Sequence, residues 1–371
     1  MGAVWERSQS IVNVQCTILS EKPGATIWWR HTTGGRHGKE AGTLPVSVSI
    51  HDVARVAGVS TSTVSRALGH GPVSEEVRAR VEAAVRETGY RPNLMARRLR
   101  SQHSGVVGLI VADIRNPFFT AAIRAVEDVA YRAGMRVILC NTDEDPQREA
   151  LYLQLMQEER VSGLIFAPTR TTQSQLGKLT FDHPVVLLDR AGKSGTHDSV
   201  VLDNVAAMAA LVDHLVGRGV RRIGGLFGKT SSTAAERRDG YLEAMRGHGL
   251  TPDYREVAPS AEAAIAEVQA WLAQTPRPDA LVASNSLLLM GALKAARAAG
   301  LRIPQDLALA GFDNESWTDL VEPGITVIEQ PVEEMGRTAM SLLLERMNAP
   351  TQPTRKVVLS GRCIVRGSSL R

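Results

Sequence analysis

From Val106 to the C-terminus the chain alternates short, unbroken apolar runs with longer amphipathic stretches, and few architectures satisfy that alternation. The runs are VVGLIVAD (106–113), MRVILCNT (135–142), VSGLIFAP (161–168), PVVLLD (184–189), RIGGLFG (222–228), DALVASN (279–285) and DLALAGFDN (306–314). A strand with one wet face would alternate polar and apolar side chains. A continuous apolar run suits a parallel strand covered on both faces. The intervening stretches, 118–133, 147–159, 206–218, 234–248 and 287–299, have helical length, and several close on glycine (Gly134, Gly249, Gly300). Repetition of βαβ units predicts a doubly wound α/β region over 105–371, and its length suggests two sheets.

The 371 residues exceed what one core ordinarily organises, so the region ahead of Val106 is read separately. Residues 49–100 are short-period, helical and basic: nine arginines (55, 66, 78, 80, 86, 91, 97, 98 and 100) stand against five carboxylates (52, 75, 76, 82 and 87), a surplus that equals the formal charge of +4 of the whole chain. Ser49 and Asp52 have capping-box spacing ahead of a short helix, Gly58 supplies a sharp turn, and Ser60 caps a second helix over 61–68. Ser74 caps a third, with Glu75 and Glu76 in its first turn and Gly89 as terminator. Short helix, glycine turn and short polar-faced helix is the helix-turn-helix arrangement, whose second helix enters the DNA major groove. Thr61, Ser62 and Arg66 point away from the apolar positions Val64, Ala67 and Leu68, toward base edges, and Arg66 suits guanine O6 and N7. Ser60, Thr63 and Ser65 carry small hydroxyls suited to phosphates, although Ser60 serves equally as a plain N-cap.

Residues 91–104 form a hinge helix or linker. Leu99 among Arg97, Arg98 and Arg100 reads either as an apolar wedge for the minor groove with phosphate-binding arms or as a solvated linker. This divides the chain into an extension (1–45), a DNA-binding domain (46–90), the hinge (91–104) and the α/β region (105–371). The extension has no sustained period, is broken by Pro23, Gly24, Gly34, Gly35, Gly38, Gly42 and Pro45, and is expected to be disordered. Organised sequence begins abruptly near Val46, and no methionine separates Met1 from Met95, so a valine start is also expected; the intact mass of the natural product decides it.

Several classes are set aside. No apolar run approaches the ~20 residues that span a bilayer, and the N-terminus lacks the apolar stretch of a secretory signal, which points to a cytoplasmic, nucleoid-associated protein without membrane contact. Cys16, Cys140 and Cys363 are too far apart for a disulfide framework or a metal cluster. The nine histidines show no metal-ligand spacing, and no catalytic group or cofactor motif stands out. The segment GGLFGKT (224–230) resembles a phosphate-binding loop but is one residue short: the motif needs glycine five residues before Gly228, where Ile223 stands. A transport-type binding protein and an α/β-fold enzyme remain as alternatives, against which the DNA-reading segment counts.

The chain resembles the LacI/GalR family of bacterial regulators through IHDVARVAGVSTSTVSRAL (50–68), YRPNLMARRL (90–99), GLIVADIRNPFF (108–119), RVSGLIFAP (160–168), ERRDGYLEAM (236–245) and IPQDLALAGFDN (303–314). The resemblance implies a transcription regulator, more readily a repressor than an activator. Its partners would be double-stranded palindromic operator DNA, with a central C-G step entered by paired Leu99 side chains, a carbohydrate-like small-molecule effector, and a second copy of itself in a homodimer or tetramer. It implies a periplasmic-binding-protein-like effector domain of two doubly wound subdomains. Tyr90 and Asn93 would contact the DNA backbone. Asn116, Phe118, Phe119, Asp189, Arg190, Arg237, Ser286, Asp313 and Trp317 would form the effector site. Many sugar-responsive members have Asn-Asp where this chain has Asn285-Ser286, which weakens hydrogen bonding to sugar hydroxyls. Trp317 would stack on a ligand ring or simply pack, and Arg237 and Asp313 would either serve the ligand alone or also pair with each other in the empty cleft.

Overall fold

The computed structural model describes residues 48–69, 71–90, 104–192 and 195–370. The chain divides into two compact units, Met1–Pro92 and Asn93–Arg371. The extension and most of the hinge, including Asn93 and Leu99, lie outside the described residues.

The first unit is a three-helix bundle of α1 (Ile50–Ala57), α2 (Thr61–Leu68) and α3 (Glu75–Thr88). The Asp52 carboxylate accepts from the Ser49 N–H at 3.0 Å and from its hydroxyl at 2.8 Å, anchoring the start of α1. Gly58 ends α1 at φ 64°, a left-handed conformation that costs glycine nothing and lets α2 begin three residues later. Val53, Ala54, Ala57, Val64, Ala67, Val81 and Ala84 form the buried centre, flanked by Leu68, Val77, Val85 and Tyr90. So small a core holds through a few fully buried valines, each contributing about 2 kcal/mol.

In the second unit two six-stranded sheets lie in two lobes. The first has order β11-β5-β4-β3-β1-β2 and is parallel throughout. Its strands are β1 (Val106–Val111), β2 (Arg136–Asn141), β3 (Gly163–Phe166), β4 (Val185–Leu188), β5 (Asp198–Leu202) and β11 (Lys356–Leu359). The second sheet has order β12-β10-β9-β8-β6-β7, with β6 (Ile223–Gly228), β7 (Asp253–Val257), β8 (Ala280–Ala283), β9 (Ala308–Phe312), β10 (Thr326–Glu329) and an antiparallel β12 (Arg362–Ile364). The central strands β1, β3, β4, β6, β8 and β9 are buried at every position, as their unbroken apolar runs require.

The helices of the first lobe are α4 (Pro117–Arg132), α5 (Pro146–Glu158) and α6 (Arg170–Gln175). Those of the second are α7 (Asn204–Gly217), α8 (Ser232–Gly247), α9 (Ala261–Leu272), α10 (Ser286–Ala298) and α11 (Ser316–Leu320). The last long helix, α12 (Val332–Asn348), returns to pack on α4 and the first sheet. There Gly336 meets the α4 backbone so closely that a Cβ would stand 2.7 Å from the Ala122 carbonyl oxygen. The chain therefore crosses between lobes three times, after β5, β10 and β11. The carboxyl ends of both sheets' strands face the space between the lobes, where open α/β sheets bind ligands.

Candidate functional site

On α2 the hydroxyls form a small network around Ser60. Its Oγ accepts the Thr63 N–H at 3.2 Å and lies 2.8 Å from Ser62 Oγ and 2.9 Å from Thr63 Oγ1. Val64 and Ala67 are buried on one side of the helix, while Ser62 and Arg66 are exposed and Thr61, Thr63 and Ser65 are half-buried. Arg66 Nε donates weakly to the Ser62 carbonyl at 3.4 Å, and its two Nη groups make no hydrogen bond among the described residues. Tyr90 is half-buried against the bundle core. The basic surplus is not all outward-facing. Arg78 donates to the Ala67 and Gly71 carbonyls, and Arg80 to those of Ala57 and Gly58, so two of the nine arginines satisfy the carbonyl ends of α1 and α2.

In the second unit a cleft lined by both lobes opens between them. The first lobe contributes Asp113, Asn116, Phe118, Phe119, Glu144, Asp189 and Arg190. Asn116 caps α4 by accepting the Phe118 N–H at 3.1 Å, which sets Phe118 and Phe119 edge to face, ring centres 5.1 Å apart, in the cleft wall. Asp189 follows β4 at φ 69°. Such a conformation is costly for any residue with a Cβ and persists only where surroundings impose it. Burial pushes its carboxyl up to about 6 against the opposing pull of Arg190. Arg190 is itself buried and carries its charge on the Glu144 carboxylate, with Nη1 also donating to the Pro168 carbonyl at 2.9 Å. Its Nε makes no hydrogen bond, although it lies 3.4 Å from Asp189 Oδ2.

The second lobe answers with Thr230, Asn285 and Arg237, beside Asp313 and Gln330. Asp313 stands at the end of β9 with φ 76°, the counterpart of Asp189 at the end of β4, and both backbone N–H groups donate to the neighbouring strand, to Ile328 and Val200 respectively. Arg237 and Asp313 do not pair with each other. Arg237 donates from Nε to Asn204 Oδ1 at 2.8 Å and from Nη1 to the Ser284 carbonyl, and its guanidinium lies 3.9 Å over the Phe312 ring. Asp313 instead accepts from the Ser286 N–H at 2.9 Å and from Gln330 Nε2 at 2.6 Å. Burial lowers the pKa of Arg237, which spends its charge on neutral oxygens.

Two of the nine expected effector residues stand outside the lining. Ser286 is buried one position further into α10, its hydroxyl unpartnered, and the cleft receives Asn285 instead. Trp317, on α11, is half-buried and packs against the edge of the apolar cluster of the second lobe. Glu144, Thr230 and Gln330 line the cleft without having been singled out, and Asn285, noted beside Ser286 without being assigned to the site, lines it too. Asn285 had a readable signal: as the N-cap of α10 its Oδ1 accepts the Leu288 N–H at 2.9 Å, which leaves its Nδ2 donors for the cavity it lines. Gln330 had none, since it sits at a lobe crossing that only the tertiary path brings beside Asp313.

No group of histidine, cysteine or carboxylate side chains able to hold a metal occurs among the described residues, and no described helix is long and apolar enough to cross a membrane. Residues 49–93 match the model of bacterial regulatory proteins of the lacI family, and 212–369 that of a periplasmic binding protein-like domain. The ribose operon repressor of Escherichia coli (strain K12) is 32% identical over 328 residues, which cover 86% of this chain and 99% of that protein. A ribose operon repressor of Halalkalibacterium halodurans is 35% identical over 324 residues, 86% of this chain and 96% of the relative. The crystal structure of the Lac repressor dimer bound to operator and the anti-inducer ONPF superposes with a TM-score of 0.80 at 25% identity, covering 87% of this chain and 99% of that one. This chain belongs to the lacI family of bacterial regulatory proteins: it is a DNA-binding transcriptional repressor under the control of a small-molecule effector.

Proposed function

We propose that the effector is a neutral carbohydrate of about pentose size, held in the inter-lobe cleft, and that a homodimer reads a palindromic operator through Thr61, Ser62 and Arg66. The observation that carries the effector reading is a set of buried polar atoms at the cavity that make no hydrogen bond: Thr230 Oγ1, Gln330 Oε1 and Arg190 Nε, the last with only the ion-pair contact to Asp189. Buried polar groups are ordinarily paired, so donors and acceptors left open around one cavity match a ligand rich in hydroxyls. The charges favour a neutral one. The lining holds four carboxylates, Asp113, Glu144, Asp189 and Asp313, against two guanidiniums, Arg190 and Arg237, so even with Arg237 bound only to neutral oxygens a phosphate or carboxylate would meet a surplus of negative charge. Phe118 and Phe119 offer apolar surface to the C–H faces of a sugar ring. Two relatives that repress ribose operons make D-ribose the first compound to test.

For DNA, exposed Arg66 with open Nη groups provides the bidentate donor for a guanine, while Ser60, Thr63, Ser65, Tyr90 and Asn93 take the phosphates and Leu99 the central step. Dimerisation has a candidate surface along one side of the second unit: Leu139 on edge strand β2 and Tyr254 on edge strand β7 are exposed, as are Ile114 and Tyr131.

Calorimetric titration with D-ribose and ribose 5-phosphate, beside selection of genomic DNA fragments by the purified protein, tests the reading. Binding of ribose alone, lost in Asp313→Ala, is the expected result, together with an enriched palindrome. Tighter binding of the phosphate would overturn the neutral-effector reading, and sequence-blind, salt-sensitive DNA binding would overturn the base-reading assignment.

A further inference from the structure

Glu149 is a charged side chain that neither the cleft nor the DNA-reading unit uses, and it has no exposed surface. It sits on α5 and forms no ion pair among the described residues. Both carboxylate oxygens are spent on the start of α6: Oε2 accepts the Thr169 backbone N–H at 2.6 Å, Oε1 accepts the Thr169 hydroxyl at 2.8 Å, and the Thr172 side chain one turn on also hydrogen-bonds the carboxylate. Withdrawing a carboxylate from water onto neutral donors is costly, so the turn it holds must matter to the fold or to the site.

Thr169 begins a short chain of contacts that ends at the cleft. The carbonyl of Pro168, the residue before it, accepts from Arg190 Nη1 at 2.9 Å. Thr169 itself caps α6, and on α6 the Gln173 side chain donates from Nε2 to the Ala191 carbonyl at 2.5 Å. The turn that carries Asp189 and Arg190 is thus held at Arg190 by Pro168 and at Ala191 by Gln173, and both holds stand on the segment fixed by Glu149. Asp189 needs such constraint, since its φ of 69° is one that a free chain would abandon.

We propose that Glu149 is a positioning residue of the effector cleft: by fixing Pro168, Thr169 and α6 it holds Arg190 and Ala191, and so keeps Asp189 and the open Arg190 Nε aimed at the ligand. The proposal rests on the cleft being the effector site. It predicts that damage at Glu149 travels to the ligand without passing through overall stability.

The test is amide hydrogen exchange on the full-length protein, wild type and Glu149→Gln, together with calorimetric titration of D-ribose. The glutamine keeps size and one acceptor but cannot accept from both Thr169 donors. Exchange should quicken at 169–172 and also at 187–192, with 308–314 in the other lobe unchanged, and the ribose Kd should rise about tenfold, the effect of losing one buried hydrogen bond. Faster exchange confined to 169–172 with unchanged affinity would overturn the proposal and leave Glu149 as a local cap. A residue that serves only stability would lower the melting temperature and leave the ribose Kd of the folded protein as it was. If wild type gives no heat with ribose while exchange still spreads to 187–192, the positioning role stands and the neutral-pentose reading falls. Should Glu149→Gln fail to fold, Gln173→Ala removes only the Ala191 contact; unaltered exchange at 187–192 in that variant would overturn the proposal.

Discussion

Asp189 combines a left-handed backbone, full burial and a carboxyl pushed up to about 6, each of which a residue selected for stability alone would avoid. In an unfolded chain its carboxyl titrates near 4. Between those two values the folded protein holds a proton that the unfolded chain has released, so this residue makes stability fall as pH rises from about 4 to about 6, and the deficit is complete above that window. Asp189→Asn removes the titration and still tolerates the left-handed conformation. The variant should melt above wild type at pH 7.5 by the equivalent of about 1–3 kcal/mol and match it near pH 4, while binding effector more weakly. Equal melting temperatures at both pH values would mean that the burial cost is offset by Arg190. Asp189 and Arg190 were legible in the sequence because they end an apolar run, where parallel strands deliver side chains to a site. Trp317 was open between stacking and packing, and it packs, because a large aromatic near a strand end is also what a core uses; Ser286 was named from the resemblance alone, and as the first residue of α10 its side chain is buried rather than in the cavity lining.

On α2 the distinction between reading DNA and being part of the bundle can be measured. Arg66 is exposed with open Nη groups, and its replacement by alanine should cost roughly 1–3 kcal/mol on operator with a much smaller loss on random DNA. Arg80 belongs to the same basic surplus but donates to the carbonyls that end α1. Arg80→Ala should therefore destabilise the bundle by about 1 kcal/mol and weaken operator and random DNA in the same proportion, as the folded fraction falls. Competition binding against operator and random fragments, at fixed salt, separates the two; a selective operator loss in Arg80→Ala would contradict its structural role. Among the strands, the seven apolar runs all became strands; six are buried on both faces, which writes itself into composition, while the seventh, β2, is an edge strand with Arg136 and Leu139 exposed, so its apolar run did not mean two covered faces. The edge strand β7 (DYREV) did not stand out, being half in water, nor did the short β5, β10, β11 and β12. The return of α12 to the first lobe was invisible for a different reason: its Gly336 contact with α4 joins segments some two hundred residues apart, and no local pattern encodes such a pairing.

Control of transcription requires the cleft and the DNA-reading unit to share one equilibrium, and the lobes provide a physical basis for it. Three separate crossings tie them together, so a ligand held by Asp189 and Arg190 on one side and by Asp313 and Asn285 on the other favours one relation of the lobes over others. A ligand shifts that equilibrium only by its differential affinity for the two states, however tightly it binds. If D-ribose is the controlling effector, its Kd must therefore differ between free and operator-bound protein, and by the same factor that ribose changes operator affinity. A coupling of about 1–3 kcal/mol, roughly 5–150-fold, is the usual range. Titrating ribose into free protein and into protein saturated with operator, and titrating operator with and without saturating ribose, gives four constants that must close in a cycle. Weaker ribose binding on the operator complex would identify an inducer, and tighter binding a co-repressor. A ribose Kd indifferent to operator would mean that the sugar fits the cleft without governing it, and the search would move to a neutral compound that also reaches Thr230 and Gln330 across the lobes.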